Sequence, residues 1–239
     1  MLKEIEGIII KETSYGETSK IIQVYTNDGI ISIICKGAKS LKSPFRATTL
    51  KFTYGKFNIH YKENKLSTLV SVDVINNFRI IMNDITLLTY LNYITDLTLQ
   101  VIKQTDENIY FDYITTVLKI NEGLDPLIMA NILEIKYLDY LGVGLNLDSC
   151  VGCGAKVNIL TIDGDRGGYI CNKCYQNEII VDKKTIELLR MYYYVEIKSI
   201  TKLKISDKVK NEINHFLNTY YDRYTGLYLK SKDFLKKII

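Results

Sequence analysis

The chain has 239 residues, 47% of them hydrophobic and 24% charged, which is enough apolar material for a substantial core and excludes a mainly disordered protein. The start, Met1-Leu2-Lys3-Glu4, has no apolar leader, and no stretch approaches the roughly 18 apolar residues of a membrane span, so the expectation is a cytoplasmic protein without membrane contact. The net charge of +4 is unevenly spread: residues 1–75 hold 11 Lys/Arg against 7 Asp/Glu, residues 76–197 hold 10 against 16, and residues 198–239 hold 10 against 4. Two basic ends around an acidic middle place any polyanionic partner at the ends.

Residues 1–76 read as β structure, because β-branched runs alternate with Gly, Asn and Lys punctuation. Five strands are expected, at about Ile5–Ile10, Lys20–Thr26, Ile30–Cys35, Leu50–Tyr61 and Leu66–Ile75. Asn27-Asp28-Gly29 marks a tight hairpin, and Glu63-Asn64 a second turn. A five-stranded unit of this size covers its edges as an OB-like barrel, with a small SH3-like barrel as the rival. Cys35, in an Ile-rich strand, reads as a small core residue.

The loop from Lys36 to Thr49 carries four cations and no acid. OB barrels hold single-stranded nucleic acid in a groove of the second and third strands and adjoining loops. Lys20, Lys36, Lys39, Lys42 and Arg46 are therefore the candidates for phosphates, and Phe45 for base stacking. An ordinary solvated loop with Phe45 tucked inward is the competing reading.

After Asn76 the apolar period becomes helical, and residues 77–239 read as a helical domain. Leu87, Leu91, Ile94 and Val101 form one stripe of a helix from near Asn83, and a second runs from about Glu107 to Asn121. The third is punctuated by the Asp125 cap, by Pro126 in the first turn and by Gly142 at the end. Further helices are expected from Asp182 to Tyr194 and from Ser206 to Tyr224, the latter with Val209, Ile213, Phe216 and Tyr220 on one face. The cluster of Lys198, Lys202, Lys204, Lys208 and Lys210, with Lys230, Lys232, Lys236 and Lys237 beyond it, reads either as more of the basic footprint or as a solubilising tail.

Between the third and fourth helices, at about 146–180, lies an insertion with Cys150-x-x-Cys153 and, after 17 intervening residues, Cys171-x-x-Cys174. Two intervening residues let both thiolates of a pair reach one ion, and the turn Asp163-Gly164-Asp165-Arg166-Gly167-Gly168 folds the second pair back to the first. Four thiolates fill a tetrahedral shell, so the expected Zn2+ is structural, one per chain. Iron–sulfur ligation, metal-free thiols or paired disulfides use the same residues. His60 and His215 have no neighbouring acid and nucleophile, no phosphate-binding glycine loop occurs, and no enzymatic activity is expected. Asp163, Asp165 and Glu178 are the nearest acids for a contrary reading.

Tyr15-Gly16-Glu17, Thr26-x-x-Gly29, Lys36-Gly37-Ala38, Ser43-x-x-Arg46, Leu138-x-x-Leu141-Gly142, the two cysteine pairs and Leu229-Lys230-Ser231-x-x-Phe234-Leu235, in that order, resemble the RecO family over nearly the whole chain. One departure is Leu145, which stands where that family usually has a proline. The resemblance implies an α+β multidomain protein with an OB barrel, a helical domain and a zinc ribbon. It also implies DNA repair and homologous recombination: binding of single- and double-stranded DNA, annealing of complementary strands, association with RecR and with the C-terminal tail of single-strand-binding protein, and help in loading RecA. The alternative is a zinc-ribbon module that binds RNA or protein in transcription or translation.

Overall fold

Alternation of inward apolar and outward polar side chains sets the first part of the chain, which the structure, a computed structural model describing residues 1–63 and 65–238, shows as a closed barrel. Its strands are β1 (Leu2–Tyr15), β2 (Ser19–Thr26), β3 (Gly29–Cys35), β4 (Tyr54–His60) and β5 (Ser67–Asn76), with a single-turn helix α1 (Phe45–Thr48) between β3 and β4. The order is β1-β2-β3-β5-β4, with β4 paired back onto β1. All ladders are antiparallel except the β3–β5 seam, which is parallel and has only two rungs, Ile33 with Ser67 and Ile34 with Thr68. This is the Greek-key barrel of the OB fold rather than an SH3-like one.

β1 serves two partners, pairing through Leu2–Ile8 with β4 and through Gly7–Tyr15 with β2. At Gly7, where both ladders overlap, a Cβ would stand 2.4 Å from the Tyr25 carbonyl oxygen, so the crossing requires glycine. Ile5, Ile9, Ile22, Val24, Ile33, Phe57, Ile59 and Leu69 fill the interior, together with Cys35, which is wholly buried as expected. Burial pushes the Cys35 thiol up to about 12, the nearby Lys20 charge only partly opposing it.

The ladder steps from Ile9 opposite Val24 to Lys11 opposite Gln23, so Ile10 is the extra residue of a bulge. The fourth strand begins at Tyr54 rather than Leu50, because Phe52 takes φ 70° and its N–H donates to the Ile9 carbonyl (2.7 Å). The hairpin at Asn27-Asp28 closes with Gly29 at φ 106°. The predicted turn at Glu63-Asn64 falls on Asn64, outside the described residues.

The first compact unit runs Met1–Asn83 and the second Asp84–Ile239, seven residues beyond the expected boundary at 76, because the short α2 (Arg79–Met82) groups with the barrel. In the second unit α3 (Ile85–Ile102) begins where the Asp84 carboxylate accepts the N–H groups of Thr86 and Leu87. α4 (Tyr110–Asn121) starts later than Glu107, since the Thr105 and Asn108 side chains take the N–H groups of Glu107 and Tyr110 in local turns. α5 (Pro126–Tyr140) has the predicted Asp125 cap, ends with Gly142 at φ 72°, and packs against α3, α4, α6 (Lys183–Tyr194) and α7 (Asp207–Tyr224). Between α5 and α6 stand three short strands, β6 (Asn146–Cys150), β7 (Ile159–Asp163) and β8 (Gly168–Cys171), in the order β6-β8-β7. The stripe on α7, Val209, Ile213, Phe216 and Tyr220, is buried as its spacing predicts.

The basic C-terminal segment forms α8 (Lys230–Ile238), which the sequence reading missed. None of its own residues is fully buried, yet Lys232 reaches inward to Glu134 of α5 (2.9 Å) and lies over the rings of Tyr221 and Tyr93. Ser231 donates to Asp96 of α3 (2.6 Å). No helix among the described residues is long and apolar enough to cross a membrane.

Candidate metal centre and nucleic-acid interface

Parallel pairing of β6 with β8 sets both Cys-x-x-Cys turns at one end of the small sheet. Cys150 and Cys171 end their strands and are buried, while Cys153 and Cys174 come from the turns beyond and are more open. The four sulfurs lie within 4.8 Å of one another, with Cys153 and Cys171 3.5 Å apart. Tetrahedral Zn–S bonds of about 2.3 Å require sulfurs roughly 3.8 Å apart, so the cluster has the dimensions of a four-thiolate shell. None of the five cysteines is joined in a disulfide in this structure, and the four clustered sulfurs are spaced for a shared ion rather than for S–S bonds.

The local backbone favours thiolate at Cys150. N–H groups of Cys171 and Gly152 point at the Cys150 sulfur at 3.3 and 3.4 Å. Burial opposes ionisation of Cys150, but these donors together with Cys153 outweigh it and bring the thiol down to about 6. Cys174 moves the other way, to about 12, because hydrogen bonding with Cys153 and its neighbours holds its proton. The four sulfurs thus share protons, and a metal ion binding there would displace those protons. At Gly152 a Cβ would sit 3.0 Å from the Cys174 sulfur, so glycine there keeps the two turns close.

Arg166 braces the centre from outside, donating to the Cys174 carbonyl (3.0 Å) and to the Glu178 carboxylate. Glu178 also accepts the N–H groups of Gln176 (2.7 Å) and Asn177, and these backbone donors, with Arg166, hold its carboxyl down at about 2. The Asp163 carboxylate takes the Arg166 N–H within the β7–β8 turn (2.7 Å). Asp163 and Glu178 are therefore turn and brace residues, and Asp165 stands exposed beside them. His60 is exposed at the end of β4, and His215 is exposed on α7.

In the first unit a cleft of ≈ 500 Å³ opens at the mouth of the barrel, lined by Glu12, Thr13, Ser14, Lys20, Ala38, Lys39, Arg46 and Leu50. It brings together three of the six residues singled out in the sequence. Lys39 and Arg46 are exposed, and the loop holding them is tied down by the Lys39 N–H to the Thr18 carbonyl (2.8 Å). Lys20 is only 8% exposed, and its ammonium meets Glu12 at 2.8 Å. Lys36 and Lys42 are exposed along the same loop without lining the cleft. Phe45 turns inward against the barrel core, the competing placement. β1's contribution was missed; the signal was Glu12, eight residues before Lys20 across a hairpin. Among the C-terminal lysines, Lys210 is taken up by Asp125 and Asp207 (2.8 Å each) and Lys232 by Glu134, whereas Lys202, Lys204, Lys236 and Lys237 are exposed.

An OB barrel with a cationic cleft, followed in the chain by a helical unit that carries a four-thiol ribbon, defines a two-part barrel-and-ribbon protein. The family described as "Recombination protein O N terminal" matches residues 1–78, and "Recombination protein O C terminal" matches residues 82–233. Among curated proteins, the "DNA repair protein RecO" of Listeria monocytogenes serotype 4b is 33% identical over 243 residues, covering 99% of this chain and 95% of the relative. The proteins of the same name from Halalkalibacterium halodurans and Bacillus subtilis are each 32% identical over 244 residues, covering all of this chain and 96% and 95% of the relatives. The chain belongs to the RecO family.

Proposed function

We propose that this chain is a DNA repair and recombination mediator whose barrel grips nucleic-acid backbones and which carries out no bond chemistry of its own. The observation that carries the reading is the cleft at the barrel mouth, where Lys20, Lys39 and Arg46 converge beside the exposed Lys36 and Lys42. The name shared by its relatives, DNA repair protein RecO, supports the same reading. Annealing joins two polyanions, so lysines and arginines that neutralise phosphates lower the repulsion and release counterions. The family resemblance extends the proposal to single- and double-stranded DNA as ligands, to RecR and the tail of single-strand-binding protein as partners, to indirect help in loading RecA, and to action at the bacterial nucleoid in the cytoplasm.

Cys150, Cys153, Cys171 and Cys174 would hold one Zn2+, whose contribution is to fold the ribbon; a closed thiolate shell leaves no position for water or substrate. Fluorescence anisotropy with labelled strands over a salt series tests the DNA reading. Lys36→Glu with Arg46→Glu is expected to weaken binding and flatten the salt dependence by about 0.7 per lost phosphate contact on single strands. Affinity unchanged across the titration removes the loop from the site. Preference for RNA in competition would favour the transcription or translation alternative.

A further inference from the structure

Glu12 is an acid in the middle of a cationic cleft, and its position there is a product of the β1 bulge. Before the bulge, the residues of β1 that face the barrel interior are odd-numbered, Ile5 and Ile9. The extra residue Ile10 reverses the parity, so Glu12 stands opposite the inward Ile22 and Ser14 opposite Lys20. An unbulged strand would have sent Lys11 to the same face. Bulges characteristically re-aim a side chain in this way. The result is a carboxylate 2.8 Å from an ammonium whose side chain is 10% exposed, in a cleft that Lys39 and Arg46 also line. Glu12 itself is 37% exposed, so it has room to swing into water, whereas Lys20 is held in the mouth.

We infer that Glu12 is a built-in stand-in for a backbone phosphate: its carboxylate fills the anion subsite at Lys20 and gives it up to a phosphate of the bound strand, which makes Glu12 a brake on affinity. This rests on the reading of the barrel as the DNA-binding unit. The carboxylate satisfies Lys20 when no strand is present, sparing the barrel a nearly buried unpaired cation. A phosphate that enters must displace it, and the displaced carboxylate then stands beside a polyanion. Removing the charge of Glu12 therefore strengthens binding, the reverse of what loss of a ligand-contacting residue does.

The test is anisotropy of a labelled oligothymidine with the full-length, metal-loaded chain over a salt series. Glu12→Gln is expected to bind about three- to tenfold tighter at low salt, with a log–log salt slope steeper by up to about 0.7. Glu4→Gln is the control, because Glu4 lies on the same strand, is exposed and sits 3.7 Å from Lys56, and its loss changes net charge equally. It should gain clearly less. Lys20→Gln should weaken binding and, in the double variant, cancel the gain from Glu12→Gln. Glu12→Thr, which suits a strand, repeats the measurement, and thermal melts verify that each variant is folded. Equal gains from Glu12→Gln and Glu4→Gln, no gain from either Glu12 variant, or a gain that survives Lys20→Gln overturns the inference and leaves the DNA reading standing. A wild-type chain that binds no strand even at low salt overturns the DNA reading itself.

Discussion

Lys232→Met tests how the last helix is held. Lys232 is 13% exposed and Glu134 2%, so the pair sits in a nearly dry slot, where Tyr93 also donates to the same carboxylate. Methionine fills the space of the lysine stem but leaves Glu134 a buried charge, whose second oxygen already has no hydrogen-bond partner. Breaking a buried pair on one side costs about 3–5 kcal/mol. Loss of the cation over Tyr93 and Tyr221 adds to this about 0.5–2 kcal/mol. For a unit of this size each kcal/mol lowers Tm by about 2–4 °C, so the combined loss of about 3.5–7 kcal/mol should make the helical unit melt roughly 7–28 °C earlier. Urea unfolding followed by far-ultraviolet circular dichroism measures the loss, and limited proteolysis around Gly226 reports whether α8 comes away. Glu134→Gln in the same chain removes the stranded charge while keeping an acceptor for Tyr93, and should recover most of the stability. A loss below about 1 kcal/mol, or no recovery in the double variant, refutes the clasp.

Emission spectroscopy should find about one zinc per chain, and Cys171→Ser should release it and open residues 150–175 to protease while the barrel melts as before; iron, or a ribbon equally protected without metal, speaks against the assignment. Alkaline pH offers a second measurement. The Cys35 thiol is raised from 9.0 to about 12, so the stability it contributes is complete below about pH 9 and drains away as pH climbs toward 12. The difference in unfolding free energy between wild type and Cys35→Ala should change over that window and stay flat below it; a difference independent of pH would show that the thiol titrates alike in both states.

Strands and helices were legible wherever one face alone is apolar or a cap stands at the end. Asp125 and Gly142 mark termini that the chain uses, and the stripe on α7 points inward as its spacing implies. The four cysteines carried their own geometry, because Cys-x-x-Cys fixes two ligands locally and only the return turn had to be inferred. Three features stayed hidden for physical reasons. The bulge at Ile10 lies in the run Ile8-Ile9-Ile10, all three buried, so no polar residue betrays the change of parity. α8 is docked by a lysine, and a lysine near a chain end reads as solvated unless its buried glutamate, 98 positions away, is known. The pairing of the phosphate candidate Lys20 with Glu12 is the third, because sequence shows the charge of Lys20 but not the carboxylate across the hairpin.

The barrel's five seams are not equally pegged. β1 is stitched to β4 over Leu2–Ile8 and to β2 over Gly7–Tyr15, whereas among the described residues β3 and β5 share two rungs, at Ile33 and Ile34, and the start of β3 has no strand partner on that side. A ring opens where it is least fastened, so amide exchange in this unit should start at Ile30–Ser32 and the β5 residues beyond Thr68, while the β1 ladders stay protected. Strand exchange with a second molecule during refolding would be expected to start at this seam, which lies across the ring from the crossing that Gly7 permits.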